Sequence, residues 1–228
     1  MNTLETRLSS RKNKNSAQRQ PMAIAAIAGV LVMSTGFGLV GCSSSGTRTG
    51  SSSGTANEID PSIAYARRQR AEALEHYQKA SALHLDDKFD DALSEYRLAL
   101  ELDDKLYAAW NNMGQLLMAE GNYHDAVSAF QIASGIETSD PRPEYNIGIA
   151  YQKVGWANDS YTHFKNAIER DPNYVPALRG LIRSAEMLGK GDPQIMEYIR
   201  NAQLRETDEQ WVSYLSTQYY RVQALIEN

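Results

Sequence analysis

Cysteine is all but missing from this chain. One thiol, Cys42, serves 228 residues, so no intramolecular disulfide can form and the thiol cannot build a metal site by itself. Histidine is scarce as well. His76, His84, His124 and His163 show neither H-E-x-x-H nor any other zinc-ligand spacing. There is no G-x-S-x-G and no Cys–His arrangement for nucleophilic attack. The stretch GKGD at Gly189–Asp192 lacks Walker spacing and reads as a turn between helices. LDDKFDD is rich in carboxylates, but it lacks the alternating ligands and distal glutamate of a calcium loop. No segment shows the apolar–polar alternation of a half-buried strand. The chain is therefore expected to be all-α, with no catalytic residue, no cofactor and no metal site.

Charge is absent from one long stretch. Residues 21–40, PMAIAAIAGVLVMSTGFGLV, carry none. Before them, residues 1–20 hold five basic residues, Arg7, Arg11, Lys12, Lys14 and Arg19, against Glu5 alone. A basic start, an apolar middle and a small-residue end is the layout of a secretory signal peptide. The end of that stretch, Leu39-Val40-Gly41-Cys42, resembles a bacterial lipobox. That resemblance implies cleavage before Cys42, acylation of its thiol and new amine, and attachment to a membrane. Residues 1–41 are thus expected to be a lipoprotein signal peptide. An uncut signal anchor is the alternative, weakened by Ser34, Thr35, Gly36 and Gly38. Both readings leave the C-terminal part on the far side of the membrane, because the basic residues stay inside. Ser43 follows the cysteine where an aspartate would resemble an inner-membrane retention signal. The expected location is a periplasm-facing lipoprotein, at the outer membrane in a two-membrane bacterium.

Residues 42–60 continue as lipidated cysteine and linker, and the stretch SSSGTRTGSSSGTANE at 43–58 has no large apolar side chain. A Ser/Gly-rich segment of this length reaches about 20–25 Å. The whole chain has formal charge −5 and residues 1–41 carry +4, which leaves −9 on the rest. An acidic domain without a basic stripe excludes nucleic acid as the expected partner.

The remaining sequence repeats. DKFDDALSEYRLALELD from Asp87, GNYHDAVSAFQIASGIE from Gly121 and GWANDSYTHFKNAIERD from Gly155 are spaced by 34 residues. Phe89, Tyr123 and Ala157 align at this step. So do Ala92, Ala126 and Ser160, then Tyr96, Phe130 and Phe164, then Ala99, Ala133 and Ala167. Gly121, Gly155 and Gly189 recur where a first helix should end. Gly114 and Gly148 recur where a second helix should approach closely. Asp60-Pro61, Asp140-Pro141 and Asp192-Pro193 each set a capping acid before a proline suited to a first helical turn. Trp110, Met113, Gly114 and Leu117 mark a buried stripe.

A period of 34 with these columns resembles the tetratricopeptide repeat. The resemblance covers about residues 73–208. It implies a right-handed helix-turn-helix solenoid with a first helix pair at 61–106, repeats at 107–140 and 141–174, a degenerate repeat at 175–205 that keeps Tyr198 in the aromatic column, and a capping helix at 206–228. A stack of this kind needs its last apolar face covered. His124 and His163 fall on second helices and are expected to face solvent. The family's first helices line a concave groove that holds a peptide. Asn111, Asn112, Gln115, Arg142, Tyr145, Asn146, Arg179 and Arg183 are the residues assigned to that groove, with Cys42 as the lipidation site. Arg179 and Arg183 lie four apart on one helical face and could clamp a carboxylate. The function implied is a membrane-tethered adaptor for a protein or peptide of the cell envelope. The alternative is a self-associating scaffold, a homo-oligomer built through the aromatic C-terminal helix.

Overall fold

The computed structural model describes residues 60–227. The signal-peptide, lipidation and linker assignments, Cys42 among them, lie outside the described residues. Among those described there are nine helices and no strand: α1 Pro61–Leu85, α2 Phe89–Leu102, α3 Tyr107–Ala119, α4 Tyr123–Ile136, α5 Arg142–Lys153, α6 Ala157–Arg170, α7 Val175–Met187, α8 Pro193–Gln203 and α9 Glu209–Glu227. Each helix packs on the next in antiparallel pairs, α1 on α2, α3 on α4, α5 on α6 and α7 on α8. The first helices also touch one another, α1 with α3, α3 with α5 and α5 with α7. This is an all-α helix-turn-helix solenoid.

Local chemistry sets the helix ends. Asp60 Oδ1 accepts the backbone N–H of Ser62 at 2.8 Å, and Asp192 Oδ1 accepts that of Ile195 at 3.0 Å, with proline next in line each time. Asp140 Oδ1 accepts the N–H of Arg142 at 2.9 Å, so it satisfies one of the free donors at the start of α5. The first helix of each pair ends in a left-handed residue: Asp87 (φ 59), Gly121 (φ 84), Gly155 (φ 82) and Gly189 (φ 64). Behind each one the chain closes the same six-to-one bond, from Lys88, Asn122, Trp156 and Lys190 N–H to Leu83, Leu117, Tyr151 and Ala185 carbonyls, all at 2.9 Å. That pattern satisfies carbonyls the helix would otherwise leave open. Asp87 holds the place with a side chain that meets a steric penalty glycine escapes.

Packing inside a pair turns on one aromatic. Tyr96, Phe130 and Phe164 are fully buried. A Cβ on Gly114 would sit 2.7 Å from the Phe130 ring, and one on Gly148 would sit 2.7 Å from that of Phe164. Close approach of two helices therefore depends on the missing side chain at both glycines.

The fourth pair departs from the aligned columns. Its fully buried residues on α8 are Ile195, Ile199 and Ala202, each one position later than the step of 34 places them. Tyr198 leaves the aromatic column and is only half-buried. The physical reason is on the facing helix. The glycine column there holds Ile182, itself fully buried, so an aromatic ring has no seat.

Candidate functional site

The first helices bring their polar residues to a shared face, but the residues assigned to it differ in access. Asn111 and Asn146 are buried. Asn146 Nδ2 donates to Asn111 Oδ1 at 3.3 Å, and Asn111 Nδ2 donates to Asn112 Oδ1 at 3.5 Å. Asn112 Nδ2 donates in turn to the Tyr77 hydroxyl at 3.3 Å. These amides form a ladder from α5 through α3 to α1. It ties three first helices together and makes the floor of the face, not its accessible wall. A first helix is buried on two sides, against its own partner and against the neighbouring first helices. Subtracting the stripe facing one partner counts too many residues as free. Gln115 is exposed.

Arg142 is committed nearby. Its Nε and Nη2 grip Asp140 at 2.9 and 2.5 Å, and its guanidinium lies 5.9 Å from the centre of the Tyr107 ring. Tyr107 donates to the same oxygen, Asp140 Oδ2, at 2.7 Å. Burial, opposed and outweighed by Arg142 and Tyr107, leaves the Asp140 carboxyl below its ordinary range. Burial and the Asp140 carboxylate push the Tyr107 hydroxyl up.

A recess lies farther along, between α5, α7 and the start of α9. Tyr145, Ile149, Gln152, Pro176, Arg179, Gly180, Arg183 and Trp211 line a cleft of about 200 Å³. Tyr145 is held edge-on to Tyr174 with centroids 5.5 Å apart and tilted on Phe164 at 5.8 Å. Burial raises its hydroxyl pKa, with Arg179 and Arg183 pulling the other way. Arg179 is paired within the chain. Its Nε and Nη2 meet the two carboxylate oxygens of Glu206 at 2.6 and 2.5 Å, and Glu206 Oε1 also accepts the N–H groups of Thr207 and Asp208 at 3.0 Å. Arg179 foremost holds the Glu206 carboxyl below its usual range. Trp211 lies under both guanidiniums, 4.6 Å from that of Arg179 and 5.0 Å from that of Arg183.

The two arginines therefore share one indole, but they differ in ion pairing. Arg179 has a carboxylate, while Arg183 has no ion-pair partner among the described residues. Gln152 Nε2 is buried in the same cleft without a hydrogen-bond partner. A cation and an unmatched amide donor beside Tyr145, Ile149 and Pro176 can take an acceptor group attached to an apolar one. The chain already supplies one such acceptor, Glu206, to Arg179. Sequence spacing placed the arginine pair on one face. It carried no signal for Glu206 and Trp211, which come from a turn and a later helix.

Two further residues were not legible. His163 is not solvated. Its Nδ1 meets Glu144 Oε2 at 2.9 Å, and its ring stacks on Tyr151 at 5.3 Å. His124 is exposed. Glu144, buried on α5, also accepts from Ser134 Oγ at 2.7 Å, Asn166 Nδ2 at 3.1 Å and Arg170 Nη2 at 3.1 Å. Burial works against ionisation there, but the donors from His163, Ser134 and Asn166 outweigh it and hold the carboxyl at about 2. This network fastens α4, α5 and α6 together. Every oxygen of Glu144 is used within the chain, which makes it a structural centre.

Comparison with known proteins agrees with the repeat geometry. A tetratricopeptide-repeat family model matches residues 107–137. The chain is 25% identical over 117 residues to human superkiller complex protein 3, covering 49% of this chain and 8% of that protein. Among solved structures it is similar to YrrB, described as a TPR protein with an unusual peptide-binding site, at TM-score 0.57 and 17% identity, over 76% of this chain and 86% of the other. It is also similar to the first TPR of Spaghetti (RPAP3) bound to the HSP90 peptide SRMEEVD, at TM-score 0.51 and 17% identity, over 53% and 96%. Similarity at these identities shows a shared fold.

Proposed function

Taking the chain as a tetratricopeptide-repeat protein, we propose that it is a membrane-tethered adaptor whose concave face captures a peptide segment of an envelope protein. The observation that carries the reading is the cleft of Tyr145, Ile149, Gln152, Pro176, Arg183 and Trp211, where an unpaired guanidinium faces open space and the Gln152 amide donor lies unmatched beneath the surface. A carboxylate or main-chain carbonyl satisfies both, and an adjoining apolar side chain rests on Ile149 and Pro176. One similar structure described as bound to a peptide and another described as having a peptide-binding site support the choice of ligand class. The tether rests on sequence: the apolar run, the lipobox-like end and Cys42, followed by a Ser/Gly linker. Diffusion at a membrane raises the local concentration of neighbours, so a weak groove is sufficient for an adaptor.

The test begins with cross-linking and pull-down of the lipidated chain from membranes, followed by calorimetry against the captured segment. Arg183→Ala is the informative variant, because Arg179 also holds Glu206. Charge-assisted bonds contribute about 1.5–3 kcal/mol where desolvated, so binding should weaken by about tenfold or more, with helix content unchanged. The loss should shrink as salt rises. Unchanged affinity at low salt removes the cleft from the function. For the tether, a palmitate analogue should label the chain and fail to label Cys42→Ser; equal labelling removes the lipoprotein reading.

A further inference from the structure

Helix α9 keeps the repeat step. It begins at Glu209, 34 residues after α7 begins at Val175. Its inner face continues two buried columns, Met113, Ile147, Leu181 and Leu215, and then Leu116, Ala150, Ser184 and Gln218. It packs on α8, as α7 packs on α6. So α9 is built as the first helix of a fifth repeat, and the cap it provides is a by-product of that.

The opposite columns tell the rest. Trp110, Glu144 and Leu178 are each covered to some degree by a second helix, whereas Val212 in the same column is 41% exposed. Gly114 and Gly148 are covered by Phe130 and Phe164, whereas Ser216 at that step lines an open cleft of about 230 Å³ with Gln203, Tyr219 and Tyr220. Tyr220 is 69% exposed and Ile226 42%. On a helical wheel these positions form one stripe. Among the described residues no second helix covers it.

We infer that this outer face of α9 seats an amphipathic helix from a partner protein, laid antiparallel as the second helix of a repeat. The α3–α4 and α5–α6 interfaces specify the occupant. In α4 and α6 the covering face reads small, aromatic four later, small three after that: Ala126, Phe130, Ala133 and Ser160, Phe164, Ala167. The aromatic enters over the small residue of the first helix. At α9 that residue is Ser216, and its flanks Val212, Tyr219 and Tyr220 give the entering ring apolar and aromatic walls. Charge argues for a partner and against a second copy. Glu209 and Glu227 stand at the two ends of the same stripe, so two α9 helices paired antiparallel would bring like charges together. A helix with basic ends meets opposite charges instead.

The probe is this chain's own residues 155–172 as a fluorescent peptide carrying Asp159→Lys, Glu169→Lys and Asp171→Lys, which keeps the Ser160–Phe164–Ala167 face and makes both ends basic. Anisotropy titration with the full chain should give saturable binding. Phe164→Ala in the peptide, or Ser216→Phe in the chain, should weaken it at least tenfold, with the chain's melting temperature unchanged. Tyr220→Ala should weaken it too, and Arg183→Ala should not, which separates this face from the concave cleft. No saturable binding, or affinity in Ser216→Phe and Tyr220→Ala that is unchanged from the unsubstituted chain, overturns the inference. A dimer in sedimentation that Ser216→Phe dissolves also overturns it, by giving the face to a second copy.

Discussion

Gly180→Ala tests how tightly the solenoid is packed. Gly180 lies within α7, and a Cβ there would fall 2.5, 2.6 and 2.7 Å from three carbons of the Phe164 ring. The comfortable separation between carbons is about 3.5–4.0 Å, so the overlap is near 1 Å. The ring has no retreat. It is fully buried, and its other approach is closed by Gly148, where an added Cβ would already meet it at 2.7 Å. Two effects oppose. Alanine gains about 1 kcal/mol over glycine in a helix interior, and overpacking a filled core costs about 1–3 kcal/mol. With the neighbour immobile, the cost belongs at the upper end, for a net loss of about 2 kcal/mol. For a domain of this size that lowers the melting temperature by roughly 4–8 °C. Gly135→Ala is the control. It lies in α4 with nothing within 4 Å of the added Cβ, so it should gain up to about 1 kcal/mol from propensity alone. A double-mutant cycle of Gly180→Ala with Phe164→Leu, read by urea melts, should show favourable coupling because the smaller side chain relieves the overlap. If Gly180→Ala stabilises as Gly135→Ala does, or if the pair is additive, the tight contact is wrong.

Acid should undo the Glu144 network. A carboxyl held at about 2 lies below its unfolded value, so its stabilisation is complete above about pH 5 and is lost as pH falls toward 2; the difference is worth about 3 kcal/mol. Melts from pH 6 to 2 should show that limb, and Glu144→Gln should flatten it while destabilising the chain at pH 7; an unchanged limb in the variant assigns the acid sensitivity elsewhere. Ala126 is fully buried, so Ala126→Leu should cost about 1–3 kcal/mol. Ala157→Leu should cost less, because its column holds Phe89 and Tyr123 and the site is half-buried; denaturant melts that rank them the other way refute the register.

What could be read without coordinates was whatever repeats. Gly121, Gly155 and Gly189 mark helix ends because a left-handed residue is needed once per unit, and a need that recurs every 34 residues shows as a column. Gly114 and Gly148 show a close approach for the same reason. Gly180 was not legible, although its contact is the tightest of the three. It answers Phe164 from the next repeat, and its column holds Asn112 and Asn146. Tyr198 was misread because spacing assigns a column but does not see that Ile182 fills the facing slot.

The sequence by itself determined the helical class, the unit length, the turns and caps, and the basic, apolar and Ser/Gly segments that precede the repeats. All of these depend on residues near one another along the chain, or on a local need met again at a fixed interval. Only the tertiary structure decided which polar groups are spent and which are free. Glu206 reaches Arg179 across 27 positions, Trp211 slides beneath both arginines, and Asn146 turns to Asn111 across 35. Such pairings depend on where helices lie after they pack, and the energy of one contact between distant residues leaves no periodic trace in the sequence.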